Sequence, residues 1–409
     1  MKNLKKIILT TSILGVFSLS GQERISLENA YNKAIQNNLN IKSGQLHVNY
    51  REKIKKSYAT VDPLNISGEI GQIGSAYFDN KISVEQTLRL PKFYNTQKQV
   101  LEEEWKNSAL NLEVQKWALK KEISLIYNQL NYLDEKEKLL KKADSIYADY
   151  YKNAELRLKK GESNILEKTT AENYRSAAQI QLQNLLKDRD ISLYQFNYLI
   201  NDGEIYRNEN SDFFNSVFWE NASDVSENSP ILRQLEQQKQ IENAKLAAEK
   251  SKLLPSFSLG INSTTIKGTG ADEKYYNASH RFQSGIIGIG IPVFNSAQKS
   301  VIEGQKINQE IAENNYQIGL KNLKNQYSQI FSEYQKLADE QNYYKTKGLK
   351  NAETILNTAN RLFYEGEINY LEWSILMNQS LEIENKYIDN QKLLNEKIIE
   401  INYLKGNKQ

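Results

Sequence analysis

Side chains able to perform acid–base, nucleophilic or metal chemistry are scarce in this sequence. Cysteine is absent, and the chain has only two histidines, His47 and His280, far apart along its length. Without thiolates and with so few imidazoles, no strong metal cluster can be assembled within one chain. Acidic residues abound, but Glu and Lys at helical spacing usually form surface ion pairs. The sequence therefore predicts no enzyme, no catalytic residue, no metal site and no cofactor.

Phosphate and nucleic-acid binding are not favoured either. Gly285, Gly288 and Gly290 fall inside a predicted strand, whereas a phosphate-binding loop places its glycines between a strand and a helix. The 53 basic and 50 acidic residues leave a net charge of +3, so no basic surface for a nucleic acid is predicted. A solvated helical surface explains this charge pattern better.

The patterns most open to a functional interpretation are two motifs that each occur twice. One combines glycine, glutamate, asparagine and leucine, and it occupies Gly161, Glu162, Asn164, Leu166 and Glu167, and again Gly366, Glu367, Asn369, Leu371 and Glu372. The other combines proline, phenylalanine and glutamine, and it occupies Pro91, Phe93 and Gln97, and again Pro292, Phe294 and Gln298. Two motifs repeated in the same order predict a chain built from two similar halves.

Long helices are predicted between the copies of these motifs. Only five prolines occur in 409 residues, and none lies between Pro91 and Pro230 or after Pro292. From Leu112 to Tyr147 an apolar residue recurs at every seventh position, which is typical of a helix packed along its length on other helices. We predict long helices over 92–160 and 293–365, each about 105 Å long, opened by Pro91 and Pro292 because the first helical position tolerates a missing N–H. Shorter helices, 165–200 and 370–404, follow the glycine turns.

Two β-hairpins are predicted over 64–90 and 256–291, because apolar and polar residues alternate there. Helices over about 25–60 and 231–254 precede them. Four strands with one apolar face leave open edges, and a membrane barrel needs closure and about eight or more strands. Three copies of the chain would supply twelve strands over twelve helical columns. A soluble hairpin cap on a coiled coil is the alternative.

The chain thus divides into a leader, two repeats and a connector. Three lysines precede an apolar run from Ile7 to Leu19 that is too short to span a membrane, so 1–21 is predicted to be a signal peptide. The first structural repeat covers 22–200, the connector 201–229 and the second repeat 230–409. The predicted fold class is mainly α with a small membrane β part, in which duplicated helix–hairpin–helix halves build a long coiled-coil-like helical wall topped by strands.

This ordered set of motifs resembles the TolC family of outer-membrane efflux channels over essentially the whole mature chain. The resemblance rests on the duplicated helix–hairpin–helix plan, the Pro-x-Phe-x-x-x-Gln-Lys strand exits and the Gly-x-x-x-x-Leu-Glu turns. It implies a homotrimer with a twelve-stranded β-barrel in the outer membrane and an α-barrel that crosses the periplasm. It also implies passive conduction of substrate delivered by an inner-membrane RND-type pump through a periplasmic adaptor (membrane fusion protein).

The same resemblance assigns roles to the two motifs. The glycine–glutamate motifs would form the periplasmic tip where the adaptor docks, and the proline motifs would mark the boundary with outer-membrane lipid. The segment from Ala154 to Glu167 most resembles the branch that serves heavy-metal RND pumps, which implies heavy-metal ions or small toxic compounds as cargo. The family often carries aspartate where this chain has Glu167 and Glu372. The alternative is a periplasmic structural coiled-coil protein that binds envelope partners without forming a pore.

Overall fold

The computed structural model describes residues 23–209 and 229–406. The first half contains, in chain order, β1 (Glu23–Ile25), α1 (Leu27–Asn37), α2 (Leu39–Ile54), a short 3-10 helix (Lys55–Ala59), β2 (Asn65–Gly71), β3 (Asp79–Arg89), α3 (Pro91–Lys159), α4 (Ile165–Ile200) and β4 (Tyr206–Asn208). The second half contains α5 (Pro230–Ser251), β5 (Ser256–Thr265), β6 (Gly268–Thr269), β7 (Tyr275–Tyr276), β8 (Arg281–Gly290), α6 (Ser296–Tyr343), a π-helical turn (Tyr344–Gly348), α7 (Leu349–Glu365) and α8 (Tyr370–Lys405). The predicted signal peptide, 1–21, lies outside the described residues, as does 210–228 of the predicted connector.

The N-terminal helical segment is divided into two helices, so the prediction of one helix from about residue 25 to 60 was wrong. Asn38 has φ −63° and ψ 126°, which takes the backbone out of the helical region. Its Oδ1 accepts hydrogen bonds from the N–H groups of Asn40 (2.9 Å) and Ile41 (3.4 Å), and this cap starts α2 as a new helix. Its Nδ2 donates to Leu199 O at 3.0 Å, which holds the break against the end of α4.

The first long helix, α3, begins at Pro91 as predicted. Leu90 is its N-cap, and the proline lies in the first turn, where a missing N–H costs no helical hydrogen bond. The 69 residues of α3 extend about 105 Å at ~1.5 Å per residue. Leu112, Leu119 and Leu133 of the seven-residue pattern are buried, so that apolar stripe is the packed face of the helix.

The second long helix departs from its prediction at two places. It begins at Ser296 rather than at 293, because Asn295 (φ −116°, ψ 15°) is not yet helical and its carbonyl accepts the first helical bond from Lys299 N at 2.9 Å. Pro292 therefore does not open the helix. A π-helical turn then separates α6 from α7, where Gly348 leaves room for Tyr344 and for Ile383 of α8. A Cβ at Gly348 would lie only 3.0 Å from the Tyr344 ring.

The two predicted hairpins join into a single antiparallel sheet with the strand order β2-β3-β5-β8. The join is the pairing of β3 with β5, in which Val84 lies opposite Ile261. Because side chains alternate between faces, the register gathers one apolar face, made of Ile66, Ile70, Ile82, Val84, Leu88, Phe257, Leu259, Ile261, Ile287 and Ile289. All ten of these side chains are exposed in the isolated chain. Residues such as Ser67, Ser83, Glu85 and Thr87 occupy the other face.

The helices stand side by side in four columns at each level. Near the sheet, α3 lies between α2 and α5, and α6 packs on the far side of α5. Near the glycine turns, α3 lies between α4 and α8, and α7 packs on the far side of α8. The two short helices α5 and α8 thus follow one another along the long helix α3. No helix within the described ranges is long and apolar enough to cross a membrane.

A parallel pair of strands that the sequence did not predict closes the first half. β1 pairs with β4, bringing the start of the chain beside the segment that follows α4. The Tyr127 hydroxyl of α3 donates to Ile25 O (3.2 Å) and to Glu209 O (3.0 Å). It therefore connects α3 to β1 and to the residue that directly follows β4. Strands of three residues carry no readable alternation, which is why the pattern gave no signal for them.

Candidate functional site

Both glycine–glutamate motifs form the same helix-ending turn. Gly161 has φ +74° and Gly366 has φ +77°, a left-handed conformation that favours glycine. The N–H of Glu162 donates to Arg157 O at 2.9 Å, and the N–H of Glu367 closes the second turn in the same way, also at 2.9 Å. These six-to-one hydrogen bonds define the Schellman motif, which satisfies the last carbonyls of a helix. The repeated sequence thus produces a repeated backbone turn.

The asparagine of each motif starts the next helix. Asn164 Oδ1 accepts the N–H of Glu167 at 3.1 Å, and Asn369 Oδ1 accepts the N–H of Glu372 at 3.0 Å. In the second turn Glu372 also accepts the N–H of Asn369 at 2.9 Å, which completes a capping box. Each turn is therefore a short link between two capped helices. Its shape is set by the glycine, the glutamate that follows it and the asparagine.

The first turn uses its glutamate differently. Glu167 points back to α3, where its Oε1 accepts from the Tyr150 hydroxyl at 2.7 Å and from Arg157 Nη1 at 3.2 Å. Ser163 Oγ also donates to the Glu167 carboxylate. The side chain is thus held by three donors and caps no backbone N–H of Asn164. The two turns agree in backbone and differ in the role of their last acidic residue.

The two turns share one open groove of about 1240 Å³ between them. Of the predicted docking residues, those that line it are Asn164, Leu166, Glu167, Gly366, Glu367, Asn369, Leu371 and Glu372. Gly161 and Glu162 lie outside this lining. Leu166 is 72% exposed and Leu371 is 62% exposed, so the turns present apolar side chains to solvent beside their carboxylates.

An aromatic cluster beneath the groove fastens the two halves to each other. The Tyr150 ring of α3 stacks on the Trp373 ring of α8 at 4.7 Å between centroids, and Phe363 of α7 lies 5.5 Å from Trp373. The Trp373 indole N–H donates to Asn360 Oδ1 at 2.9 Å. Burial and the hydrogen bond to Glu167 raise the pKa of the Tyr150 hydroxyl, so that hydroxyl stays protonated and remains a donor.

The sequence pattern gave no indication of this aromatic cluster. Tyr150, Trp373 and Phe363 belong to helices whose local pattern is only that of a packed face, and nothing in that pattern shows that the three rings meet. The one available signal is that Tyr370 and Trp373 directly follow the second turn motif, where helix spacing places them on one side.

The two proline motifs lie at the other end of the long helices, and their surroundings differ. The Arg89 guanidinium lies 4.6 Å above the Phe93 ring, whereas Phe294 makes no such contact and is fully exposed. Gln298 Nε2 donates to Glu249 O (3.0 Å) and to the Glu249 carboxylate (2.8 Å). The structure therefore places all six predicted junction residues, Pro91, Phe93, Gln97, Pro292, Phe294 and Gln298, next to the sheet and away from the groove.

Nothing in the described ranges gathers three or more His, Cys, Asp or Glu side chains in a metal-binding arrangement. His47 lies in α2 and His280 lies in the loop before β8. The chemistry available at the groove is instead that of recognition: exposed leucines for apolar contact, carboxylates for ion pairs, and rigid capped turns that hold both in place.

Comparison with known proteins agrees with this architecture. Residues 221–401 match the family described as outer membrane efflux protein. No relative is found among curated proteins.

Several solved structures share the fold over nearly the whole chain. The outer-membrane channel OprN superposes with a TM-score of 0.77 at 14% identity, covering 93% of this chain and 89% of its own. CusC superposes with a TM-score of 0.72 at 17% identity, covering 94% and 92%. The CmeC outer membrane channel of Campylobacter jejuni gives a TM-score of 0.71 at 16% identity, covering 99% and 94%. At these identities the likeness establishes the fold.

Proposed function

Because residues 221–401 match the outer membrane efflux protein family, we propose that the chain is the outer-membrane channel subunit of an export system. The single observation that carries the proposal is the exposed apolar face of the sheet, which lies at one end of the helix α3, about 105 Å long. Such a face is costly in water and stable against lipid. The chain is a passive conduit and not an enzyme, as is general in this family.

The strand lengths support a membrane location for the sheet. β3 has 11 residues, and β5 and β8 have 10 each. A strand that crosses a bilayer at a tilt of about 45° needs ~9–11 residues. The apolar face of Ile66, Leu259 and Ile287 faces lipid, and the face of Ser67 and Glu85 lines the water-filled interior.

The open flanks of the chain support its assembly as a homotrimer. In the described sheet β2 and β8 each have one unpaired edge, and such edges call for a further strand. The outer helical columns beside them, α2 and α6, present exposed apolar stripes at helical spacing, formed by Leu39, Leu46 and Tyr50 and by Ile307, Ile311 and Ile318. In the assembly, β8 of one copy pairs with β2 of the next, and α6 packs against α2. This pairing provides hydrogen-bond partners for both sheet edges and buries both apolar stripes. Three copies then close a twelve-stranded barrel above twelve helical columns, which run through the periplasm.

The groove between the two turns is the proposed docking place for the periplasmic adaptor. Its exposed Leu166 and Leu371 supply apolar anchors, and the Schellman and N-cap bonds hold them in fixed positions before binding. A preformed surface spares the ordering cost of binding. An inner-membrane RND-type pump delivers the cargo to this end of the channel.

Heavy-metal ions or small toxic compounds are the proposed cargo. This rests on the likeness of Ala154–Glu167 to the branch serving heavy-metal pumps, and the fold shared with CusC is compatible with it. Since the described residues hold no metal-binding cluster, selection of the ion belongs to the pump.

Cell fractionation and external labelling test the proposed function. A cysteine introduced at Thr269 in the loop between β5 and β8 should react with a membrane-impermeant maleimide added to intact cells, while one introduced at Ser163 in the first turn should react only after the outer membrane is permeabilised. The protein should run as a heat-modifiable trimer from the outer-membrane fraction. Recovery as a soluble periplasmic monomer, with neither cysteine labelled in intact cells, would point to the structural coiled-coil alternative.

A further inference from the structure

Arg281 lies on the apolar face of the sheet, at the end remote from the helices. In β8 it shares its face with Gln283, Gly285, Ile287 and Ile289, because side chains alternate along a strand. Its cross-strand partner is Thr265 of β5. The apolar face therefore ends in a polar edge that carries a positive charge.

Within the described residues, the groups that hold the guanidinium of Arg281 are neutral. Its Nε donates to Ser263 Oγ (2.8 Å), its Nη2 to Ser263 O (2.8 Å) and its Nη1 to Asn80 Oδ1 (2.6 Å). An arginine has five N–H donors, and these three hydrogen bonds leave two N–H groups for another partner. Across the described residues no carboxylate lies within ion-pairing distance of it, whereas Lys81 on the opposite face pairs with Glu69 at 3.2 Å.

A second cation follows the cross-strand partner of this arginine along the chain. Lys267 follows Thr265 by two residues, and its Nζ lies 5.3 Å from the centroid of the Tyr77 ring. Its backbone N–H donates to the buried Asp79 at 3.1 Å, which fixes the start of the loop. Within the described ranges Lys267 also forms no ion pair. Two positive charges thus lie at the end of the sheet remote from the helices, and no carboxylate among the described residues forms an ion pair with either side chain.

The height of this edge matches the surface of a bilayer. From Ile289 to Arg281 the strand advances eight residues, which is about 26 Å at ~3.3 Å per residue and about 20 Å along the bilayer normal after a tilt of about 40°. The apolar band of a membrane barrel is ~25 Å tall. Arg281 therefore lies where hydrocarbon gives way to headgroups.

We propose that Arg281 and Lys267 bind the phosphate of a lipid headgroup in the outer leaflet. The inference rests on the proposed function, since it needs the apolar face to meet lipid. A guanidinium fork pairs well with phosphate, and the apolar rows below it receive the acyl chains of the same molecule. Free phosphate would use only the two charges, whereas a phosphorylated lipid such as lipid A uses the charges and the adjoining apolar surface.

Native mass spectrometry of the detergent-solubilised trimer tests the site. The probes are diphosphorylated lipid A, dephosphorylated lipid A and inorganic phosphate. We expect diphosphorylated lipid A to bind at least fivefold more tightly than the dephosphorylated form, and Arg281→Gln to remove that preference. Lys81→Gln is the matched control, because Lys81 lies at the same height on the opposite face, and this variant should bind as the unaltered protein does.

Two results would overturn the site: equal loss in Lys81→Gln and Arg281→Gln, or no preference for phosphorylated lipid in the unaltered trimer. Complete displacement of the lipid by millimolar inorganic phosphate would also overturn it, since it would leave a simple anion site. Should Arg281→Gln fail to assemble, Lys267→Gln decides the question, because its amino group takes no part in the sheet. A trimer that reaches the outer membrane without this lipid preference would refute the lipid site and leave the proposed channel function intact.

Discussion

The ring of Tyr150 in α3 stacks on the ring of Tyr370 in α8, with centroids 4.0 Å apart and planes inclined by 12°. Tyr150 also binds Glu167 of the first turn, and Tyr370 begins the helix that follows the second turn. This single contact therefore connects two turns that lie far apart in sequence. The groove between them is a built surface, held by aromatic packing from both halves.

The tyrosines below the groove should make the protein sensitive to alkaline pH. Burial raises the pKa of the Tyr147 hydroxyl to about 12, above its usual 10.0. A raised pKa in the folded state contributes stability that is fully present below pH 10 and is lost as the pH rises toward 12. We expect the melting temperature of the unaltered protein to fall over this range. The melting temperature of Tyr147→Phe should fall less steeply, because phenylalanine has no hydroxyl to ionise. Tyr364→Phe, which changes an exposed tyrosine, should keep the slope of the unaltered protein; an unchanged slope in Tyr147→Phe would contradict the prediction.

The two turn glycines should tolerate no β-branched residue. No atom lies within 4 Å of a Cβ built at Gly161 or Gly366, so the cost of Gly→Val is backbone strain alone, about 1–3 kcal/mol for each turn. We expect the double variant to lose efflux while its trimers still reach the membrane. Gly304→Ala is the control: it also meets open space but lies inside α6, so it should stabilise by about 0.5–1 kcal/mol. Intact efflux in the double variant would remove the docking role of the turns.

A buried pair of asparagines should couple α3 to α8. Asn395 Nδ2 donates to Asn128 Oδ1 at 3.0 Å, and Asn128 is fully buried. Asn395→Leu leaves the Asn128 carboxamide oxygen unpaired and should cost about 1–3 kcal/mol. Replacing both residues by leucine should cost less than the sum of the single changes, and chemical denaturation of the four proteins in a double-mutant cycle measures the difference. Strict additivity would show that the hydrogen bond contributes nothing.

The buried arginine of α4 should be essential to the packing of α4 on α3. Arg189 is 7% exposed, and its Nη2 lies 3.0 Å from Asp134 Oδ1 and 2.5 Å from Glu137 Oε2. Arg189→Met leaves two carboxylates without their buried partner and should destabilise by about 3–5 kcal/mol. Lys141→Met removes an exposed partner of the same Glu137 and should cost under about 1 kcal/mol. Equal effects of the two changes on the unfolding midpoint would contradict the structure.

Two neighbouring residues of β2 test which side of the sheet meets lipid. Ile66 and Ser67 are both exposed in the isolated chain and point to opposite faces. Ile66→Arg should impair membrane assembly, at a cost of up to about 2–4 kcal/mol, because the charge would enter hydrocarbon. Ser67→Arg should assemble normally, since that side chain faces water. Heat-modifiability of the trimer on gels reports the outcome, and equal assembly of both variants would argue against a lipid-facing sheet.

Much of the architecture could be predicted because local, periodic patterns of residues indicate the helices, strands and turns. The seven-residue apolar pattern indicated α3, alternation indicated the strands, and the repeated glycine and asparagine indicated the two turns between helices. A left-handed glycine followed by an asparagine cap needs no distant partner, so Gly161 and Asn164 could be recognised without a fold. The helix start at Ser296 could not be recognised, because Pro292 is compatible with both a helix start and an extended residue.

Relationships between residues distant in sequence could not be predicted, because they depend on how the helices pack. The pairing of β3 with β5, which turns two hairpins into one sheet, depends on how α3 and α5 bring those strands together. The stacking of Tyr150 on Tyr370 and the divergence of Glu167 from Glu372 arise because the first turn lies beside Arg157 and Tyr150. The helices, the strands and their duplication are determined by short-range periodicity and turn residues, which can be recognised in the sequence alone. The shared groove and the hydrogen bonds of Arg281 to Ser263 and Asn80 required the three-dimensional packing, because contacts between residues distant in sequence leave no periodic pattern in a single chain.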